Sequence, residues 1–125
     1  MKTILIDAWN TFVTEQGVNL EMKSILEDYE NPKIILTNAN EEEKQKFGII
    51  DMPYPVFSLA HNPNKPNPVY FKKMLSHFFL SAENVIYFEH NEDAVNSAKS
   101  VGIQTLWLKK DSNLKILKEF LDSKL

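Results

Sequence analysis

Four groups of polar residues in the sequence carry functional groups that could act on a phosphate ester. Asp7 and Thr37 each follow a short apolar run, and so does the stretch 89–91, which holds a glutamate, a histidine and an asparagine. Lys65 lies in a loop rich in proline and asparagine. A carboxylate can act as a nucleophile, a second carboxylate can bind a metal ion, and an ammonium or hydroxyl group can hold phosphoryl oxygens. These residue types suit phosphoryl transfer through an aspartyl-phosphate, provided that the fold brings them together.

The hydrophobic pattern predicts elements that would do so. Short apolar runs predict strands, and segments with helical spacing and cap residues predict helices between them. The strands are expected at residues 3–6, 33–36, 56–59, 84–88 and 103–108, and the helices at 20–29, 41–47, 69–79, 93–101 and 112–123. This alternation predicts an α/β fold, a three-layer, doubly wound parallel sheet of about five strands in a single domain, 1–125. In such a sheet ligands bind at the carboxyl ends of the strands, where the polar residues lie.

The composition excludes several other kinds of site. The chain has 125 residues and no cysteine, which excludes a thiolate nucleophile, a disulfide scaffold and cysteine-ligated metal centres. Its net charge of −3 gives no reason to expect nucleic-acid binding. All 14 basic residues are lysine, so no guanidinium group is present to bind a carboxylate or phosphate in a bidentate manner.

The location that the sequence predicts is cytoplasmic. The longest apolar runs are only as long as strands, so no membrane span is expected. The N-terminal residues 1–7 contain one lysine, a short apolar run and an aspartate, which is not the pattern of a signal peptide. We therefore expect neither a membrane nor a nucleic acid among the partners.

The polar groups and their surroundings resemble the four motifs of the haloacid dehalogenase (HAD) superfamily, in order along the chain. The first motif is similar to ILIDAWNT at residues 4–11, and the second to ILTN at 35–38. The third motif, a lysine in a Lys-Pro-x-Pro-x-x-Phe setting, is similar to KPNPVYF at 65–71. The fourth resembles VIYFEHN at 85–91 together with the helix and the Gly-Ile pair that follow. The last two motifs are the more specific, since residue types, spacing and context agree.

This resemblance implies roles for the residues in the motifs. It implies that Asp7 is the nucleophile, that Thr37 and Lys65 hold the transferred group, and that Asp7 and Glu89 bind Mg²⁺ through oxygen ligands. It also indicates Trp9, Asn38 and Asn91 as contacts of the substrate. The expected activity is that of a Mg²⁺-dependent phosphatase acting on a phosphorylated substrate, a phosphate monoester.

Two positions depart from the phosphatase pattern. Trp9 stands where the phosphatases have a second aspartate, the general acid and base, and tryptophan cannot transfer a proton. His90 stands where that branch commonly has an aspartate for Mg²⁺. The residues from Asp7 to Thr11 are closer to the dehalogenase branch, whose members work without a metal ion. Those enzymes use an arginine for the halide, however, and this chain has none.

Three functions therefore remain open from the sequence. The first is a phosphatase, slowed by the loss of the acid and best suited to aryl or acyl phosphates. The second is a catalytically inactive HAD-fold protein that serves in binding or scaffolding, and the third is a metal-free 2-haloacid dehalogenase. The short segment between Thr11 and the first helix leaves no room for a cap domain. The site is thus expected to be open, or closed by a second copy or another partner.

Overall fold

Strands and helices alternate along the chain as the sequence predicts. The computed structural model covers residues 1–125. The strands are β1 (Thr3–Asp7), β2 (Val13–Thr14), β3 (Gly17–Val18), β4 (Lys33–Thr37), β5 (Val56–Ser58), β6 (Val85–Glu89) and β7 (Gln104–Trp107). The helices are α1 (Leu20–Glu27), α2 (Glu41–Phe47), α3 (Val69–His77), α4 (Glu92–Ser100) and α5 (Lys115–Lys124), with a short 3₁₀ turn at Ala82–Asn84.

The main sheet has five parallel strands in the order β5-β4-β1-β6-β7. The chain starts at the central strand β1, moves outward to β4 and β5, and then returns to β6 on the other side of β1. The direction of winding therefore reverses at β1, and such a switch point opens a crevice at the carboxyl ends of the strands. The doubly wound α/β fold expected from the sequence is confirmed.

Apolar side chains from alternate positions of the central strands form two cores, one on each face of the sheet. Along β1, Ile4 and Ile6 belong to one core and Leu5 to the other. The first core packs under α1 and α5, through residues such as Met22 and Leu121. The second core packs under α3 and α4. All five residues of β1 are buried, and so are all five of β6. Burial on both faces explains why these strands are nearly continuous apolar runs.

The structure differs from the sequence prediction mainly in one small element. β2 and β3 form an antiparallel ribbon between β1 and α1, a region where no strand was predicted. Gly17 closes its turn with a φ of +95°, which a residue without a Cβ adopts at little cost. Helix α5 begins at Lys115, three residues later than predicted, and α3 ends at His77, before Phe79.

The helices of this fold are short, and the longest, α5, has 10 residues. None of them combines the length and the hydropathy that a membrane-crossing helix needs.

Candidate active site

The register of the parallel strands brings two carboxylates to the switch point. Ile6 of β1 lies opposite Phe88 of β6, so the next residues of the two strands, Asp7 and Glu89, are side by side. Both side chains are almost completely buried. On the other side of β1, Asp7 lies opposite Leu36 of β4, which places Thr37 one position further along the same edge.

Lys65 reaches this pair of carboxylates from the loop before α3. Its Nζ lies 2.6 Å from Asp7 Oδ1 and 3.0 Å from Glu89 Oε1, and the side chain is only 5% exposed. The backbone N–H of Lys65 donates to Asn38 Oδ1 at 2.8 Å, which fixes the loop to the end of β4. A buried ammonium group with two carboxylate partners is a fully paired charge, which is the condition under which lysine is buried.

The second oxygen of Asp7 also accepts hydrogen bonds. Thr11 Oγ1 donates to Asp7 Oδ2 at 2.6 Å, and His90 approaches the same oxygen with Nδ1 at 2.5 Å and with its backbone N–H at 3.3 Å. His90 Nδ1 also lies 3.2 Å from Glu89 Oε2. A carboxylate oxygen only accepts, so His90 Nδ1 carries a proton here.

Glu89 is held as firmly as Asp7. The hydroxyl of Tyr87 donates to Glu89 Oε1 at 2.5 Å, and the backbone N–H of Asn91 donates to Glu89 Oε2 at 3.0 Å. Every oxygen of the two carboxylates thus has at least one hydrogen-bond donor from the protein. The floor of the site is therefore fully hydrogen-bonded, since none of these carboxylate oxygens lacks a partner.

The arrangement shifts the pKa values of its members. Burial by itself raises the pKa of Asp7, but Lys65 and the hydrogen bond from His90 outweigh burial and leave that pKa far below its usual range. Burial lowers the pKa of Lys65, whereas Asp7 and Glu89 raise it, and the net pKa is above the ordinary value. Hydrogen bonds to Asp7 and Glu89 raise the pKa of His90 to about 9, against some opposition from burial. At neutral pH the Asp7 carboxylate therefore stays ionised, and Lys65 and His90 stay protonated.

The remaining predicted residues surround these four. Thr37 is buried at the rim, and its hydroxyl accepts a hydrogen bond from the backbone of Ala39 at 3.2 Å. The side chains of Asn38 and Asn91 both have structural partners: Asn38 holds Lys65, and Asn91 caps α4 by accepting from Ala94 N at 3.1 Å. The structure brings both asparagines to the cleft, but it ties each of them to the backbone.

The side chain of Trp9 forms part of an aromatic wall. Its ring stacks on Phe47 of α2, with ring centroids 4.6 Å apart and an angle of 23° between the planes. Since the indole ring offers no acidic proton near the reacting groups, the wall supplies apolar surface where the phosphatase pattern has an acid.

These residues line an open cleft of about 270 Å³. The lining includes all of the sequence-predicted site residues, namely Asp7, Trp9, Thr37, Asn38, Lys65, Glu89 and Asn91. It also includes residues that the sequence analysis left without a role. Among these are Phe47, His61 and Glu43.

His61 closes one side of the cleft through contacts with two segments. Its Nε2 is hydrogen-bonded to Glu43, in the first turn of α2, and its Nδ1 lies 2.8 Å from Asn64 Oδ1. Glu43 also completes the capping box of α2 with Asn40. The hydrogen bond to Glu43 raises the pKa of His61. Nothing in the spacing of the sequence pairs His61 with Glu43, because the contact joins a loop to a helix 18 residues earlier.

Solved structures with the same fold include proteins of the haloacid dehalogenase type. A HAD family enzyme from Bacteroides thetaiotaomicron, an aspartate-to-alanine variant in complex with magnesium and inorganic phosphate, matches with a TM-score of 0.76 at 10% identity, over 94% of this chain and 98% of that one. The core domain of a Streptococcus pneumoniae protein assigned as a phosphoglycolate phosphatase matches with a TM-score of 0.66 at 15% identity, over 98% and 97%.

A third structure, of a Thermotoga maritima protein assigned as a beta-phosphoglucomutase, matches with a TM-score of 0.59 at 12% identity, over 94% of this chain and 91% of that one. No family model matches the sequence, and no curated protein matches it. At these identities the likeness establishes the fold. The chain has the haloacid dehalogenase-like fold, and the resemblance seen in its motifs is confirmed at that level.

Proposed function

We propose that this chain with a haloacid dehalogenase-like fold hydrolyses phosphate monoesters through an aspartyl-phosphate formed on Asp7. The observation that carries the proposal is the contact of Lys65 Nζ with both Asp7 and Glu89 at the switch point of the sheet. A buried ammonium group beside a buried carboxylate keeps that carboxylate ionised, as a nucleophile must be, and offers charge to a phosphoryl group. Neighbours of the same fold that are named as phosphatase or phosphomutase support this choice.

The first step would form the covalent intermediate. A carboxylate oxygen of Asp7 attacks phosphorus, and the bond from phosphorus to the ester oxygen breaks with its electron pair on the leaving group. Lys65 and the hydroxyl of Thr37 hold the phosphoryl oxygens during this transfer. The leaving oxygen departs as an anion and takes a proton from water, since Trp9 has none to give. Leaving groups of low pKa, such as phenolates, are therefore favoured.

The second step would release phosphate. Water from the open cleft attacks the phosphorus of the aspartyl-phosphate and gives up its proton to solvent. The bond between phosphorus and the Asp7 oxygen breaks, which restores the carboxylate and frees inorganic phosphate. A cleft open to solvent supplies this water directly, without movement of a covering domain.

The groups around the carboxylates bear on whether Mg²⁺ can bind in this site. The resemblance implies that Asp7 and Glu89 bind the ion, and the fold neighbour from Bacteroides thetaiotaomicron is a complex with magnesium. Here, however, all four oxygens of the two carboxylates accept protein hydrogen bonds, and His90 Nδ1 lies between them. These residues do not fit Mg²⁺ while His90 is in place, and neither step above uses a metal ion.

The proposal is tested by turnover of p-nitrophenyl phosphate. We expect wild-type protein to release p-nitrophenol and the Asp7→Asn variant to have no activity above buffer. The matched control is Asp28→Asn, an exposed aspartate at the end of α1, which should keep the wild-type rate. Activity that survives in Asp7→Asn would come from a contaminant and would reject the proposal. Acid-quenched protein should also carry one phosphoryl group on Asp7, which mass spectrometry can locate.

A second function is favoured by one specific observation. The Asp7 side chain is only 4% exposed, and both of its oxygens already have donors. A protein that binds phosphorylated molecules at Lys65 and Thr37 but catalyses no reaction would have the same buried and fully hydrogen-bonded Asp7. It would bind inorganic phosphate in calorimetry and yet release no p-nitrophenol. Halide release from a 2-haloacid would instead indicate the dehalogenase alternative.

A further inference from the structure

Two nitrogen atoms bridge the two carboxylates of the site, one for each facing pair of oxygens. Lys65 Nζ joins Asp7 Oδ1 to Glu89 Oε1, at 2.6 and 3.0 Å. His90 Nδ1 joins Asp7 Oδ2 to Glu89 Oε2, at 2.5 and 3.2 Å. The pair of carboxylates is thus closed on both sides by nitrogen donors from the protein itself.

A divalent cation shared by these carboxylates would need the space that the imidazole ring fills. Mg²⁺ binds oxygen at about 2.0–2.1 Å and demands near-octahedral coordination. The interval between Asp7 Oδ2 and Glu89 Oε2 already contains His90 Nδ1, within hydrogen-bonding distance of both. A Mg²⁺ ion that contacted these two oxygens would have to displace the protonated Nδ1 from its position between them.

The backbone on either side of the ring holds His90 where it is. Its N–H donates to Asp7 Oδ2 at 3.3 Å, and its carbonyl accepts from Trp107 Nε1 at 2.9 Å. The next residue, Asn91, is fixed as the cap of α4. The Cα of His90 is therefore anchored between β6 and α4, and the ring itself is held by the contacts of Nδ1 with Asp7 and Glu89.

We propose that His90 takes the place of a divalent cation in this site, so that the two carboxylates are held together by the protein alone. The cleft then binds no Mg²⁺, and no Mn²⁺ as its substitute, while His90 is present. Where the proposed phosphatase function holds, on which this last consequence rests, turnover is independent of added metal ion. The inference concerns residues of this chain and stands apart from whether the chain is an active enzyme.

Binding of Mn²⁺, measured by electron paramagnetic resonance, tests the proposal without any need for activity. Three proteins are compared: wild type, His90→Asp, and His77→Asp as the control on the exposed face of α3. We expect His90→Asp to bind Mn²⁺ about tenfold or more tightly than the other two, because a third carboxylate then replaces the bridging ring. Mg²⁺ should compete for the same site.

Two results of this titration would overturn the proposal. One is wild-type protein that binds Mn²⁺ as tightly as His90→Asp, because His90 would then not stand in for a cation. The other is a folded His90→Asp variant that binds no Mn²⁺, because the carboxylates would then not form a metal site even without the ring. Circular dichroism establishes that the variant is folded.

A second measurement uses the wild-type chain, in case His90→Asp fails to fold. The sequence has only three histidines, so ¹⁵N-histidine labelling gives signals from the nitrogen atoms of three imidazole rings. We expect the signal of His90 to be unchanged when Mg²⁺ is added, and its displacement would contradict the proposal. If wild-type protein is active on p-nitrophenyl phosphate, a chelator should leave the rate unchanged. Loss of the rate would reject the inference, whereas absence of any turnover would reject only the phosphatase proposal.

Discussion

Lys65 is the residue that links the two carboxylates of this site. Its ammonium group is withdrawn from water and is compensated only by Asp7 and Glu89. The sequence placed Lys65 at the correct edge of the sheet, because its loop leads into α3 from the carboxyl end of β5. It did not indicate that one ammonium group would bridge two carboxylates, since that depends on side-chain positions which no spacing encodes.

Replacement of Lys65 by methionine should destabilise the protein strongly. The change leaves two buried carboxylates without their shared cation, and breaking a buried ion pair in this way costs about 3–5 kcal/mol. The measurement is the free energy of unfolding in urea. Lys72→Met, at an exposed position of α3, serves as the control and should change that free energy by less than about 0.5 kcal/mol. Equal effects from the two variants would contradict the role given to Lys65.

Trp9 offers a direct test of the missing acid. The Trp9→Asp variant puts a carboxyl group where the phosphatase pattern has one, and general acid catalysis is typically worth about 10²–10⁴-fold. We therefore expect its rate on alkyl phosphates to rise relative to its rate on aryl phosphates. Trp9→Asn removes the same stack on Phe47 but adds no proton donor, so it should leave that ratio as in the wild type. A similar rise in both variants would show that the loss of the ring, and not the added acid, is responsible.

At the scale of elements, helix α2 was predicted well and the small ribbon was not. Asn19 and Asn40 accept backbone hydrogen bonds as caps of α1 and α2, and α2 has the predicted bounds, 41–47. Strands β2 and β3 have two residues each, which is too short to show any periodicity. The length of an element therefore determines whether its hydrophobic pattern is sufficient to predict it.

Substitutions of Asn91 distinguish between two roles of its side chain, the capping of α4 and the binding of substrate. The Asn91→Ala variant loses the cap of α4 and should lose about 0.5–2 kcal/mol of stability. Asn91→Asp keeps a capping oxygen and should retain most of that stability. Thermal unfolding of both variants checks this expectation. If Asn91→Ala leaves the melting temperature unchanged while the affinity for phosphate falls, the side chain acts on the substrate instead.

At the scale of the whole molecule, the strand order determines where the site lies. Asp7, Thr37 and Glu89 come from three adjacent strands, β1, β4 and β6, whose carboxyl ends share one edge. The sequence predicted this convergence from the alternation of strands and helices alone. It gave no sign that His61 and Glu43 would meet across the cleft, because that contact depends on the path of the loop at residues 59–68.

The buried charges should also shape the acid stability of the molecule. In the folded protein the pKa of Asp7 lies well below its unfolded value of about 3.9. Ionised Asp7 therefore stabilises the fold above about pH 3.9, and this stabilisation decreases as the pH falls from there toward the folded-state pKa. We expect wild-type protein to exceed Asp7→Asn in unfolding free energy at pH 6, and the gap to narrow at pH 3. Urea titrations at the two pH values provide the measurement. A gap of the same size at both would contradict the lowered pKa.

The two nitrogen bridges affect the electrostatic attraction between the cleft and an approaching anionic ligand. With Lys65 and His90 opposite Asp7 and Glu89, the floor of the cleft has almost no net charge, and the chain as a whole carries −3. Such a molecule does not attract anions from a distance, and its overall negative charge opposes their approach. Stopped-flow association of a phosphorylated ligand should then stay constant or become faster as ionic strength rises, instead of slowing as it does at positively charged clefts.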